Sequence, residues 1–362
     1  MATIKDVAEY AGLSVTLVSR YLNHKKGVSE LSREKIAEAI EALNYRPNGN
    51  ARSLVLQKTN AIGIVVNTLD APFIAPLIAG IERGLADFNK ENRYTVLFCS
   101  SHGDMDTKQQ HIAYLTQGRV DGIIIYGSLA TDDTLIRQLA ETKFPFLLIE
   151  NDMKDIEVNK VTIDNQGGAY KATEFLIQQG YERIAHMTGN MNYKITLDRM
   201  NGYIMALQDY RIPVRQDFIW HPDFEQVREK KPEDYHIRGD MSFYYVGYNE
   251  MKRVIESGAK LPEAIFFATD ISAFGAMQAL SEANIKVPED ISLIGFDDEY
   301  PSDYGCTCQA ISSIRQRFEE VGYMGIKTMI DDIENPHNEK RTVSLSTDMI
   351  IRESSIKLKK YM

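Results

Sequence analysis

A chain of 362 residues exceeds one typical domain and has room for two or three hydrophobic cores. Its formal net charge of -10 excludes a body that coats nucleic acid, and three cysteines (Cys99, Cys306 and Cys308) are too few for a disulfide framework. No apolar run reaches about eighteen residues, the length a membrane-spanning helix needs. No His or further Cys stands beside Cys306 and Cys308 at zinc-ligand spacing, so no metal and no cofactor is expected. The N-terminus lacks the charged stub and apolar run of a leader, and the cysteine usage suits a reducing compartment, so the expected location is the cytoplasm. The charge is unevenly spread: residues 1–60 carry nine Lys and Arg against six Asp and Glu, or +3, which leaves -13 for the rest. A basic head on an acidic body confines any DNA contact to the head.

Thr3 with Asp6 three residues later forms a capping box, and Ile4, Val7, Ala8 and Ala11 share one stripe, predicting a helix over 4–11. Gly12 tolerates the left-handed backbone past a helix end. Ser14 can cap a second helix with Leu17, Val18 and Leu22 facing inward and Val15, Thr16, Ser19 and Arg20 outward. A third helix is expected from near Ser32, burying Ile36, Ala39, Ile40 and Leu43. This is the size and order of a helix-turn-helix unit, although Ala-Gly-Leu-Ser could also join two ordinary packed helices. In such a unit Arg20 can grip guanine by two bonds, Thr16 can offer a hydroxyl or methyl, and Val15 can touch a thymine methyl. Ser14 and Ser19 suit phosphates. Pro47 and Asn48 can start and cap a further segment, but Gly49 and Asn50 make residues 49–56 poor helix formers that would not hold alone.

From residue 61 onward, short apolar runs alternate with amphipathic stretches. Strands are expected at 61–66, 95–99, 122–126 and 146–149, with helices around 76–89, 107–117 and 133–142. A second series of strands falls at 183–187, 218–221, 264–268 and 292–296. Regular alternation implies an α/β body of doubly wound parallel sheets in two lobes. Ligands of such sheets lie beyond the carboxyl ends of the strands, so two lobes offer a shared cleft. The residues there mix aromatic rings, a guanidinium and carboxylates, which suits a small polar ligand such as a sugar. Trp220, inside a strand, is read as packing and not as a stacking platform.

The stretch from Thr3 to Leu54, including Asn44-Tyr45-Arg46-Pro47-Asn48 and Ala51-Arg52-Ser53-Leu54, resembles the lactose-repressor/galactose-repressor (LacI/GalR) family of bacterial transcription regulators. The likeness continues through Ala61 to Val66, Val120 to Ile124, Asp164-Asn165, Asp198-Arg199, Thr269-Asp270 and Val287 to Asp297. It implies a helix-turn-helix head at 1–46, a hinge helix and linker at 47–60, and a two-lobed body similar to periplasmic binding proteins. The first lobe is placed at 61–162 with about 293–322, the second at 163–292 with about 323–350, and a tail at 351–362. DNA contacts are implied for Thr3, Ser14, Val15, Thr16, Ser19, Arg20 and Asn23 of the head, and for Asn48, Ala51, Arg52 and Leu54 of the hinge, where Leu54 matches a leucine that wedges a base step.

By position the resemblance assigns effector contacts to Phe73, Glu150, Arg199, Phe224 and Asp297, with Tyr193, Thr269 and Asp270 as further candidates. Each has a plainer reading: Phe73 packing at a helix start, Asp297 capping a turn, Asp270 capping a helix, Arg199 pairing with an acid. Glu150 stands where relatives often carry aspartate. The charged segment Gln226 to Asp240 departs from the family pattern and is a surface insertion or a lid. The implied protein is a homodimeric repressor of carbohydrate genes on a palindromic operator, in which a sugar-like effector changes the lobe angle and so the folding of the hinge helices. Alternatives are control by a phosphoprotein corepressor or by a non-sugar molecule such as a nucleobase. The short basic tail lacks heptads, which points to a dimer and not a tetramer. No nucleophile elbow, P-loop, H-E-x-x-H or Gly-rich dinucleotide motif occurs, so an enzyme is not expected.

Overall fold

The computed structural model describes residues 2–22, 25–45, 58–89, 94–127, 129–224, 242–304 and 307–357. Asn23, Asn48, Ala51, Arg52, Leu54, Cys306 and the segment Gln226 to Asp240 lie outside the described residues. The chain forms two units, 1–60 and 61–362.

In the first unit, helix α1 (Ile4–Ala11) starts at the capping box read from the sequence: the Thr3 amide donates to Asp6 Oδ2 at 2.7 Å, and the Asp6 amide donates back to Thr3 Oγ1 at 3.4 Å. It ends at Gly12, whose φ of 65° is the left-handed conformation that glycine adopts without penalty. Helix α2 (Val15–Leu22) starts with the Leu17 amide donating to Ser14 Oγ at 3.2 Å. Helix α3 (Glu30–Ala42) begins earlier than the sequence suggested, because Ser29 is its cap and Ser32, the expected start, is the residue whose amide Ser29 receives. Val7, Ala8, Val18, Ile36 and Ala39 form the core, with Ile40 and Leu43 packed on it half-buried.

The second unit contains two six-stranded sheets. The first comprises β1 (Ala61–Val66), β2 (Thr95–Ser100), β3 (Gly122–Tyr126), β4 (Phe146–Ile149), β5 (Asn159–Ile163) and β11 (Thr342–Leu345), ordered β11-β5-β4-β3-β1-β2 and parallel throughout. Helices α4 (Ile74–Phe88), α5 (Met105–Thr116), α6 (Asp133–Glu141) and α11 (Phe318–Glu334) accompany it. The second comprises β6 (Ile184–Met187), β7 (Ile219–Trp220), β8 (Ala264–Phe267), β9 (Ser292–Asp297), β10 (Ser312–Arg315) and β12 (Asp348–Ile350), ordered β12-β10-β9-β8-β6-β7, with only β12 antiparallel. Its helices are α7 (Asn165–Gln178), α8 (Lys194–Asp209), α9 (Ser242–Glu256) and α10 (Asp270–Glu282).

This topology corrects the expected lobe boundaries. Residues 292–315 stay in the second sheet, whereas α11 and β11 return to the first, nearly the reverse of the assignment from sequence. The expectation missed β10, whose Ser312 and Ser313 are buried but polar, so that no apolar run announces the strand. The chain therefore crosses between lobes three times, after β5, after β10 and after β11. Helices α4 and α11 meet at backbone distance: a Cβ on Gly80 would lie 1.8 Å from the Glu319 carbonyl oxygen. The Lys108 ammonium of α5 meets Asp132 at 2.5 Å, both 1 % exposed.

Candidate functional sites

In each sheet the strand order reverses between neighbours that both run parallel, at β1/β3 in one and β6/β8 in the other. Side chains beyond the carboxyl ends of strands at such a point face an open crevice. Here the two crevices converge on a single cavity of about 210 Å³, reached by Asn67 after β1, Tyr126 at the end of β3, Asn190 after β6 and Thr269 after β8.

Its walls are aromatic. The Phe73 ring stacks on Tyr126 and on Phe318, each at 5.2 Å between centroids, and Phe243 lines the opposite lobe. Its floor is a chain of polar groups. Glu150, at the end of β4, has φ of 60° and turns its carboxylate back to accept from the Ile163 amide at 2.7 Å and from Asn165 Nδ2 at 3.1 Å. Asn165 Oδ1 in turn accepts from Arg199 Nε at 2.9 Å. Arg199 Nη1 donates to the Ala268 carbonyl, lies 3.3 Å from Asp297, and its guanidinium sits 3.8 Å over the Phe296 ring. Asp297 Oδ1 then accepts from Gln316 Nε2. This chain joins β5/α7 to the β10/α11 connection, two of the three places where the backbone passes between lobes. Burial is the first cause that pushes the Glu150 carboxyl up to about 7, partly offset by its two bonds and by Arg199. Burial likewise raises Asp297 to about 6 against the pull of Arg199.

The structure thus brings Phe73, Glu150, Tyr193, Arg199, Thr269 and Asp297 to the pocket. Thr269 is the cap of α10, accepting from the Ser272 amide at 3.4 Å. Two expected contacts are corrected. Phe224 stands behind Phe243, edge to face at 5.1 Å, and the latter ring forms the wall. Asp270 neither caps α10 nor lines the pocket. It is fully buried, accepts from Ser313 Oγ at 2.8 Å and from the Glu299 amide at 2.8 Å, and so fixes the loop that carries Asp297. Burial, with Asp297 and Glu299 nearby, raises its carboxyl well above the ordinary range. Trp220 is packed, as expected, with Nε1 donating to the Asp217 carbonyl at 3.0 Å. Sequence reasoning assigned no effector contact to Asn67, Tyr126, Phe243, Gln316 or Phe318. Tyr126 lay within reach of the strand-end rule, but Gln316 and Phe318 follow β10, which was not foreseen.

On the head, Val15, Thr16, Ser19 and Arg20 border one shallow depression together with Lys25, whose amide donates to the Arg20 carbonyl at 2.9 Å. Val15, Thr16 and Arg20 are exposed. Thr3 and Ser14 spend their hydroxyls on helix starts, with Thr3 Oγ1 also 2.9 Å from Asp6 Oδ2. Among the described residues no helix is long and apolar enough to cross a membrane.

A helix-turn-helix head on a body with a pocket between two doubly wound lobes defines a DNA-binding transcription regulator with a periplasmic-binding-protein-like body. Residues 3–48 match the model for bacterial regulatory proteins of the lacI family, and residues 173–355 match that for a periplasmic binding protein-like domain. The chain is 31% identical over 355 residues to the HTH-type transcriptional repressor PurR of Yersinia pestis (strain Pestoides F), covering 98% of this chain and 97% of that one. Among solved structures it is similar to the lac repressor dimer bound to operator and the anti-inducer ONPF (24% identity, 98% and 99% covered, TM-score 0.80) and to the transcriptional regulator CelR-cellobiose complex (24%, 98% and 100%, TM-score 0.67). The chain belongs to the lacI family of bacterial regulatory proteins and is a DNA-binding transcriptional repressor.

Proposed function

We propose that the protein is a cytoplasmic homodimer that represses transcription at a palindromic operator, and that a small ring compound in the interlobe pocket sets its affinity for that operator. The observation that carries this reading is the convergence of both switch-point crevices on one aromatic-walled cavity whose polar floor joins two lobe crossings. A ligand that engages Arg199 or Asp297 perturbs those crossings directly, and only such differential contact can shift the balance between two lobe arrangements. In this reading Val15, Thr16 and Arg20 read bases, Ser14 and Ser19 hold phosphates, and Leu54 of each protomer wedges a base step.

The ligand proposed is a nucleobase-like heterocycle. The cavity is below the 300 Å³ or so at which drug-sized sites begin, its walls are flat rings, and the end-to-end likeness to repressors named PurR supports this choice over a sugar. A sugar is the second reading, favoured by the carboxylates of the pocket and by the cellobiose of one structural neighbour. Differential scanning fluorimetry of the full chain tests both, with adenine, guanine, hypoxanthine, hexoses and cellobiose. A rise in melting temperature with a base, abolished by Arg199→Met, supports the first reading. A rise with sugars alone supports the second, and no rise with any compound contradicts a ring-compound effector.

A further inference from the structure

The two lobes of the body also meet away from their crossings. Leu129, after β3, and Tyr193, after β6, form an isolated antiparallel bridge, and the Ala130 amide donates to the Asn192 carbonyl at 2.9 Å. Beside the bridge, the Lys194 ammonium donates to Asp133 Oδ1 at 2.6 Å and to Asn151 Oδ1 at 3.1 Å. Lys194 is the first residue of α8 in the second lobe, whereas Asp133 is the first of α6 and Asn151 follows β4, both in the first lobe. A cation in the first turn of a helix is opposed by the helix dipole. Lys194 therefore does nothing for the start of α8, and both of these bonds cross the cleft.

Each side of the contact is braced from behind. Asp132, next to Asp133, holds the buried Lys108 ammonium of α5. Arg137 lies 4.0 Å from Asp133 but bonds Asp155 at 2.8 Å, which leaves the shorter bond to Lys194. In the second lobe, Thr196 Oγ1 donates to the Asn190 carbonyl and the Asn192 amide to Asn190 Oδ1, each at 2.9 Å, which ties the loop before α8 to the helix. The Lys194 and Asp133 side chains are 28 % and 25 % exposed and Asn151 is fully buried, so water competes weakly for the ammonium.

The position of the contact gives it leverage. The chain passes between lobes at β5, β10 and β11, all at one end of the two strand orders. The strands β3 and β6 lie two and three places further along, about 10 and about 14 Å at the usual strand spacing. A rotation of about 15° at the crossings moves a point that far away by about 3 Å, enough to break its hydrogen bonds.

We propose that Lys194, with the Leu129–Tyr193 bridge, is a clasp across the mouth of the cleft that keeps the ligand-free lobes together and sets how often they part. The inference rests on the reading above, in which the lobe arrangement sets operator affinity, and it adds a regulatory contact outside the ligand pocket, whose lining does not include Lys194.

Hydrogen exchange by mass spectrometry on the full-length, ligand-free protein tests this with Lys194→Met, or with Asp133→Asn if the first variant does not fold. Two regions are compared. One is the clasp itself, 129–133 with 190–194. The other is the pocket, read by the Ile163 and Ser272 amides, which are bonded to Glu150 and Thr269 and not to the clasp. The expected result is exchange roughly five- to tenfold faster in both regions, the value of about one hydrogen bond, with the operator Kd shifted in the same variant. Faster exchange at the clasp alone, or in neither region, overturns the proposal, because Lys194 would then be a local brace that does not govern opening. Faster exchange in both regions with an unchanged operator Kd leaves the clasp in place and refutes the link between lobe arrangement and operator binding on which the proposed function depends.

Discussion

Replacing Glu150 with glutamine should flatten the pH dependence of stability across neutrality. The carboxyl is 5 % exposed and held among an amide, Asn165 and Arg199, and it titrates at about 7 in the fold against an ordinary 4.5. That rise of about 2.5 pH units, at about 1.36 kcal/mol each, amounts to roughly 3 kcal/mol. The sign follows from which state ionises first. The folded value lies above the unfolded one, so as pH climbs the unfolded chain loses its proton while the fold retains it. Stability from this group is complete below about 4.5 and is lost as the pH passes about 7. Urea unfolding can be followed by Trp220, the only tryptophan, which is buried in β7 and reports on the body alone. Between about pH 5 and about pH 8 the wild type should lose about 2.5 kcal/mol more than Glu150→Gln, since Asp297 and Asp270 remain in both proteins and cancel in the comparison. Parallel curves for the two proteins would refute the reasoning, because burial of Glu150 would then carry no ionisation cost.

Three further outcomes are expected. Lys108→Met strands the buried Asp132 carboxylate and should cost about 3–5 kcal/mol in thermal unfolding, most of it recovered in Lys108→Met/Asp132→Leu; an equally unstable double variant contradicts this. Gly80→Ala drives a methyl into the Glu319 carbonyl and should destabilise the body by about 1–3 kcal/mol or more, so an unchanged urea midpoint would show that α4 and α11 can part freely. Arg20→Ala should remove about 1–3 kcal/mol of discrimination between the operator and a sequence altered at one guanine, with the helical circular dichroism of the head retained; full discrimination would exclude Arg20 as a base reader.

The head was readable in the sequence because its signals are local: a capping box, a left-handed glycine and a capping serine each act within four residues. The early strands were equally plain, since β1, β3 and β4 are continuous apolar runs buried on both faces. What failed was non-local. Ser312 and Ser313 are polar yet buried, held by Ser354, Ser355 and Asp270 from distant parts of the chain, and no window around them reveals that. With β10 unseen, the lobe crossing was misplaced and Gln316 and Phe318 were lost from the site. Asp270 was misread for a related reason: its partners Ser313 and Glu299 are distant in sequence, so a cap was the only local role available. Phe224 was displaced by Phe243, the next aromatic along the chain that is described, which the charged intervening segment concealed.

The claim on which the rest depends is that occupancy of the interlobe pocket is energetically linked to operator binding. Fluorescence anisotropy of a labelled duplex, selected from a random pool by the full-length protein, measures this directly when the Kd is determined with the pocket empty and with it saturated by the compound that scanning fluorimetry identifies. A coupling of about 1–3 kcal/mol, a change of roughly five- to 150-fold in Kd that vanishes in Arg199→Met, is the predicted result. An identical Kd in both conditions, with calorimetry showing the pocket filled, would contradict it.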